Sequence, residues 1–133
     1  MVNFIGIDVG TSNVKAVLIS EEGHEKKVAY RKNEQDMTVL WDKVLACITE
    51  VVAGENTADI LGIGLTGQGE GCWLVDKDGK PVSQSILWSD GRAKDLVDDI
   101  IKDKELYDRI YQQTGTQPLT GTALTLLLWS KQH

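Results

Sequence analysis

Residues 3–19 read Asn-Phe-Ile-Gly-Ile-Asp-Val, then Gly-Thr-Ser, then Asn-Val-Lys-Ala-Val-Leu-Ile. Two apolar runs joined by three small residues cannot continue in one direction. Gly, Thr and Ser are turn chemistry, so the chain reverses into a hairpin of strands at Asn3–Val9 and Val14–Ile19. The first strand is apolar at both odd and even positions, which predicts a sheet covered on both faces.

A turn at Glu21-Glu22-Gly23 leads to a third strand, Lys27–Arg31, whose polarity marks it as an edge. Asp36 then caps a helix in which Leu40, Val44, Cys47 or Ile48, and Val51 recur at the spacing of one buried face, and Gly54 ends it. Ile60–Thr66 reads as a fourth, buried strand. After the irregular stretch Gly67–Gly71, Cys72–Val75 and Val82–Leu87 form the expected arms of a hairpin around Asp78-Gly79, with Pro81 beginning its second arm. Helices are expected at Lys94–Lys102, Lys104–Gln112 and Ala123–Gln132. The acids from Asp95 to Asp108, interleaved with Lys94, Lys102, Lys104 and Arg109, read as a solvated face. The whole is a mixed α/β pattern.

The chain has 133 residues, 41% hydrophobic and 26% charged, with a net charge of −6. That balance is globular, and without a Lys/Arg cluster it disfavours nucleic acid. Anionic small molecules remain open, because backbone N–H groups and a metal supply positive charge locally. Cys47 and Cys72 form no Cys-x-x-Cys pair, and Cys47 reads as a buried thiol. With no leader pattern, long apolar run or disulfide framework, the expectation is a cytoplasmic protein with no membrane contact. The last helix carries Leu124, Leu126, Leu127, Leu128 and Trp129, so covering on more than one side is expected, as is self-association, a homodimer included, through it.

Gly6-Ile7-Asp8-Val9-Gly10-Thr11-Ser12-Asn13-Val14-Lys15 is the most informative segment. Gly10 permits a backbone conformation and a close approach that a side chain would block. The turn's N–H groups and the Thr11 and Ser12 hydroxyls can then converge on phosphate oxygens, while Asp8 can hold Mg²⁺ through its water shell. Lys15 is a weaker phosphate candidate, since the second strand can turn it to solvent. An ordinary hairpin accounts for these residues about as well. The Gly-x-x-x-x-Gly-Lys-[Ser/Thr] spacing is absent.

A second informative region runs from Gly62 to Gly71, followed by Ile86 to Ala93. A strand ends in a glycine-rich loop that exposes Gln68, Gly69 and Glu70, and strand ends are where open α/β sheets bind ligands. Trp88, Asp90 and Arg92 add an aromatic surface, an acceptor and a forked donor. Polyhydroxylated ligands need this mixture. The alternative is structural: glycines for close packing, and Asp90 with Arg92 as a local cap and surface pair.

The order strand, Asp-x-Gly-Thr-Ser, strand, strand, helix, strand resembles the actin-like ATPase (ribonuclease H-like) fold, in which the hairpin grips the β- and γ-phosphates of ATP. The later block, carried by Gln68, Asp76, Gly79, Pro81, Trp88, Asp90 and Arg92, is similar to the FGGY carbohydrate kinases. Glu34-Gln35-Asp36 followed by Trp41 matches that family's approach to its first helix. The resemblance covers residues 1–133 and implies the N-terminal part of the first kinase domain, with the rest of that domain and a second, nucleotide-binding domain absent. It implies ATP and Mg²⁺ as cofactors, a small sugar as substrate, phosphate contacts from Gly10, Thr11, Ser12 and Lys15, and metal placement by Asp8. Sugar contacts fall to Gln68, Gly69, Glu70, Trp88, Asp90 and Arg92. The family's general base is an aspartate downstream of this segment, so residues 1–133 alone are expected to be inactive. Typical D-xylulokinases have Met-His where Gly69-Glu70 stands here, which points toward the L-xylulose and polyol branches. Competing readings are a non-enzymatic actin-like nucleotide-binding scaffold and a stand-alone sugar-binding regulatory module.

Overall fold

The computed structural model describes residues 2–133, which divide into two compact units with the boundary after Gln68. In the first, β1 (Asn3–Val9), β2 (Asn13–Ser20), β3 (Glu25–Lys32) and β4 (Ile60–Gly67) form a sheet in the order β3-β2-β1-β4. The first three strands are antiparallel neighbours, and β4 lies parallel to β1. A parallel return needs a crossover, which α1 (Met37–Val52) supplies between β3 and β4.

The helix starts where expected. The Asp36 carboxylate accepts from the Thr38 N–H at 2.9 Å and the Thr38 hydroxyl at 2.6 Å. Beyond its last turn Gly54 takes φ +76°, the left-handed conformation that stops helices. Its buried stripe of Val44, Cys47 and Val51 packs with Ile5, Ile7, Val14, Ala16, Leu18 and Ala29. Burying each Val contributes on the order of 1.5–3 kcal/mol. The surrounding apolar wall pushes the Cys47 thiol pKa up, consistent with a structural cysteine.

Two expectations about the sheet need correction. Residues of β1 alternate strictly, with Ile5 and Ile7 buried while Phe4 and Asp8 are exposed, so within this unit α1 fills one face only. The predicted buried strand, β4, is an edge, and Leu61, Ile63 and Leu65 are 66%, 61% and 73% exposed. Ile63 and Leu65 sit opposite Ile5 and Ile7 and so share the α1 face. The helix, however, lies mainly over β2 and β3 and less over β1.

In the second unit, β5 (Gly71–Cys72) pairs with β6 (Ile86–Leu87), followed by α2 (Lys94–Lys102), α3 (Lys104–Thr114) and α4 (Ala123–Gln132). The expected hairpin is mostly turn rather than strand. Beyond β5 and β6 it is held by the Val75–Pro81 bridge. Asp76 Oδ1 accepts from the Asp78 and Lys80 N–H groups at 2.8 and 2.9 Å, an Asx-type turn that takes up bonds a ladder would use. Cys72, Ile86, Ala93 and Leu126 form this unit's core, with Leu74 and Trp129 packed on it. The acidic stretch is a solvated face as expected: Lys94 pairs with Asp98 at 2.5 Å and Lys102 with Asp99 at 3.0 Å. In α4 Leu126 is buried, whereas Leu124 and Leu127 are exposed. Among the described residues no helix is long and apolar enough to cross a membrane.

Candidate functional site

The turn between β1 and β2 is closed by the Gly10 N–H donating to the Asn13 carbonyl at 3.0 Å. A Cβ on Gly10 would lie 3.0 Å from that same oxygen, so the close approach expected here is present. Its φ is not left-handed, and space alone demands the glycine.

The segment 33–35 then takes hold of this loop. Asn33 Nδ2 donates to the Gly10 carbonyl at 2.8 Å, Gln35 Nε2 donates to the Thr11 carbonyl, and the Asn33 N–H donates to the Ser12 carbonyl at 2.9 Å. Three consecutive carbonyls therefore face one side. In a planar trans peptide the N–H points opposite the C=O of the same plane. The N–H groups of Thr11 and Ser12 are thus directed away from the 33–35 segment.

Strand register places the other candidates of this unit. Val9 lies opposite Gly67, so β1 and β4 end side by side and the loops leaving them start together. A Cβ on Gly67 would come 3.2 Å from the Val9 carbonyl. Just beyond, Gln68 Nε2 donates to Gln35 Oε1 at 3.1 Å. Asp8 and Lys15 are cross-strand partners on the face opposite α1, and both are exposed. There the bare Gly6 and Gly64 help form a depression of about 530 Å³ lined also by Asp8, Lys15 and Thr66.

Asp8 suits the magnesium role. Its carboxylate is exposed, and an added Cβ on Gly10 would stand 3.5 Å from its Oδ2. Magnesium accepts one carboxylate completed by phosphate oxygens and waters. No group of three or more His, Cys, Asp or Glu able to hold a metal occurs among the described residues, so a closed protein cage is not what these residues offer.

In the second unit, Asp90 and Arg92 form a forked pair, Nε to Oδ1 at 2.9 Å and Nη2 to Oδ2 at 2.8 Å. The Arg92 N–H also donates to Oδ1 at 2.9 Å. These bonds hold the Asp90 carboxyl below its usual value. The Arg92 guanidinium lies 5.0 Å from the centre of the Trp129 ring, a cation–π contact. Trp88 is 53% exposed. Gly121 is pressed against its main chain, where a Cβ would collide with the Trp88 carbonyl. Glu70 Oε2 accepts from the Ala123 N–H at the start of α4, at 3.1 Å. The neighbouring Gly69 is exposed, with no atom near the position of a Cβ.

Comparison with known proteins decides the family. The FGGY family of carbohydrate kinases, N-terminal domain, matches residues 3–133. The chain belongs to this family. Its FGGY relatives include an L-xylulose/3-keto-L-gulonate kinase of Escherichia coli strain K12, 34% identical over 98% of this chain and 28% of the relative. A xylulose kinase of Klebsiella pneumoniae is 32% identical over 98% and 28%. Among solved structures, a xyloylose kinase from Brucella ovis superposes with a TM-score of 0.85 at 26% identity, covering 98% of this chain and 29% of that one. The FGGY chain thus spans under a third of the length of the relatives it matches, and its fold is the actin-like ATPase fold of these sugar kinases.

For this FGGY chain the first unit gathers Asp8, Gly10, Thr11, Ser12, Lys15 and Gln68, whereas Gly69, Glu70, Trp88, Asp90 and Arg92 belong to the second. Sequence reasoning missed Asn33 and Gln35 as the loop's supports and Trp129 as the partner of Arg92. The polar run Asn33-Glu34-Gln35 just ahead of a capped helix was the only local signal.

Proposed function

We propose that this chain supplies the phosphate loop and part of the sugar site of an ATP-dependent carbohydrate kinase that phosphorylates a hydroxyl of a pentulose, polyol or sugar acid. Residues 1–133 are then the N-terminal part of that kinase's first domain. The observation that carries this reading is the capture of the Gly10, Thr11 and Ser12 carbonyls by residues 33–35. It turns the Thr11 and Ser12 N–H groups away from residues 33–35. Membership in the FGGY family supports the sugar as acceptor.

In this mechanism the Thr11 and Ser12 N–H groups and hydroxyls bind phosphate oxygens, and Lys15 adds charge from β2. Asp8 would hold Mg²⁺, which neutralises charge on the phosphates when bound. Gln68, at the end of β4, and Gly69, Glu70, Trp88, Asp90 and Arg92 bind and orient the sugar. Glu70 is acceptor-only when ionised, and the bare Gly69 leaves room that a larger residue would take. The substrate is therefore held differently from D-xylulose in enzymes with Met-His at these places, and the L-xylulose and polyol branches fit better. Positioning and charge stabilisation dominate phosphoryl transfer, and the base that takes the hydroxyl proton is supplied from outside residues 1–133.

A coupled ADP-release screen tests this in the full-length kinase carrying this chain, against L-xylulose, D-xylulose, xylitol, glycerol and gluconate. Turnover with one of the first three is expected. No ADP release above the ATPase background with any acceptor would overturn the reading.

A further inference from the structure

Gln35 is the one described non-glycine residue with a left-handed backbone, at φ +61°. A long side chain there costs roughly 1–2 kcal/mol that a glycine would avoid. Something must hold it, and its carboxamide is engaged at both ends. Nε2 donates to the Thr11 carbonyl, and Oε1 accepts from Gln68 Nε2 at 3.1 Å.

The direction of this chain of bonds is forced. A main-chain carbonyl can only accept, so Gln35 must turn its NH₂ to Thr11 and its oxygen to Gln68. Gln68 must then answer with its own NH₂, which leaves its Oε1 buried and without a hydrogen-bond partner among the described residues. An orphaned buried acceptor costs on the order of 1–3 kcal/mol. Among the described residues only the bond to Gln35 fixes the orientation of that amide, until a donor is brought to Oε1.

We propose that Gln35 is a positioning residue that couples the two substrates, transmitting the orientation of Gln68 to the Thr11 carbonyl and hence to the phosphate loop. The proposal rests on the kinase reading above. A hydroxyl or water delivered to Gln68 Oε1 on sugar binding locks the Gln68 amide. Through Gln35 it locks the peptide whose N–H faces the nucleotide. By reciprocity, nucleotide binding tightens the sugar site by the same factor.

The test compares wild type with Gln35→Asn and Gln35→Met in the full-length kinase, using AMPPNP as nucleotide probe. The sugar probe is whichever of L-xylulose, D-xylulose and xylitol turns over in the screen. Asn tolerates the left-handed backbone but is one methylene too short to span from Thr11 to Gln68, whereas Met keeps the length and loses both bonds. In wild type the sugar should tighten AMPPNP binding by roughly tenfold. In both variants that factor should fall below about twofold. For Gln35→Asn the melting temperature should stay close to wild type, because relieved strain offsets lost bonds. A wild-type factor retained in both variants, or no sugar effect in wild type, would overturn the coupling. Wild type that fails to bind AMPPNP at all would instead overturn the kinase reading.

Discussion

The carboxylate of Glu70 receives the N–H of Ala123, a residue 53 positions further along the chain, at 3.1 Å. The N-terminus of α4 is thereby closed by two acceptors, since Thr122 also caps it through the Thr125 N–H. A negative charge in this place is favourable because the first N–H groups of a helix lack partners within it.

Replacing Glu70 should therefore have two separable effects. Glu70→Ala should lower the stability of the 69–133 unit by about 1 kcal/mol, read by thermal unfolding. Glu70→Gln keeps an acceptor and should cost less. Glu70→His should in addition shift the acceptor profile in the ADP-release screen. An identical profile would remove Glu70 from the sugar site and leave it as a helix cap alone.

Gly10→Ala places a Cβ 3.0 Å from the Asn13 oxygen that closes the turn. The Asn13 carbonyl must give by a few tenths of an ångström, which shifts the turn and the aim of its N–H groups. Bonds to a charged group are worth roughly 1.5–3 kcal/mol, so nucleotide affinity should drop by about tenfold or more. Equilibrium binding of AMPPNP measures this, and circular dichroism should show the sheet intact.

Gly71 has φ +117°, and a Cβ there would meet the Ile86 carbonyl at 2.9 Å. Gly71→Ala should destabilise the β5–β6 pairing by on the order of 1–3 kcal/mol. Exposed Gly69 carries neither restriction, so Gly69→Ala should leave stability unchanged within about 0.5 kcal/mol. The two melting curves, run side by side, test the contrast.

Arg92 holds the Asp90 carboxyl below its ordinary value of 3.8. A carboxylate whose folded pKa lies below its unfolded one binds fewer protons when folded. Its contribution is complete above the unfolded value and disappears as pH falls through the folded one. Wild-type melting temperature should accordingly drop below about pH 4. Asp90→Asn, which has no such proton to take up, should show a shallower drop. Parallel slopes in the two proteins would contradict this.

Much of the architecture was legible because it is local. Asp36, Gly54 and the Val44–Cys47–Val51 stripe announce α1 by themselves, and β1 was bounded correctly by its apolar run. The exposure of β4 was not legible. Leu61, Ile63 and Leu65 look like core residues in sequence, and only the placement of α1 over β2 and β3 shows that they are uncovered here. The hairpin arms were overextended because Asp76 spends its side chain on the turn. The tight turn at Gly10, Thr11 and Ser12 and the strand end before Gln68 could be placed from the sequence. The hold of Gln35 on Thr11 could not, because it depends on a left-handed glutamine that no propensity favours. Asp90 and Arg92 were foreseen both as ligands and as a local pair, and the pair is what their geometry displays.

The supports of the phosphate loop also fix an order of assembly. Gly10, Thr11 and Ser12 are clasped by residues lying only 23 or 24 positions downstream in the two side-chain bonds. β4 and Gln68 leave the ribosome later, after α1 has been made. A nascent chain can close β1, β2 and β3 and set the Gly10–Ser12 turn while the strand that brings Gln68 is still being translated. The Gly10–Ser12 loop and the residues that clasp it are thus complete in the growing chain before Gln68 exists.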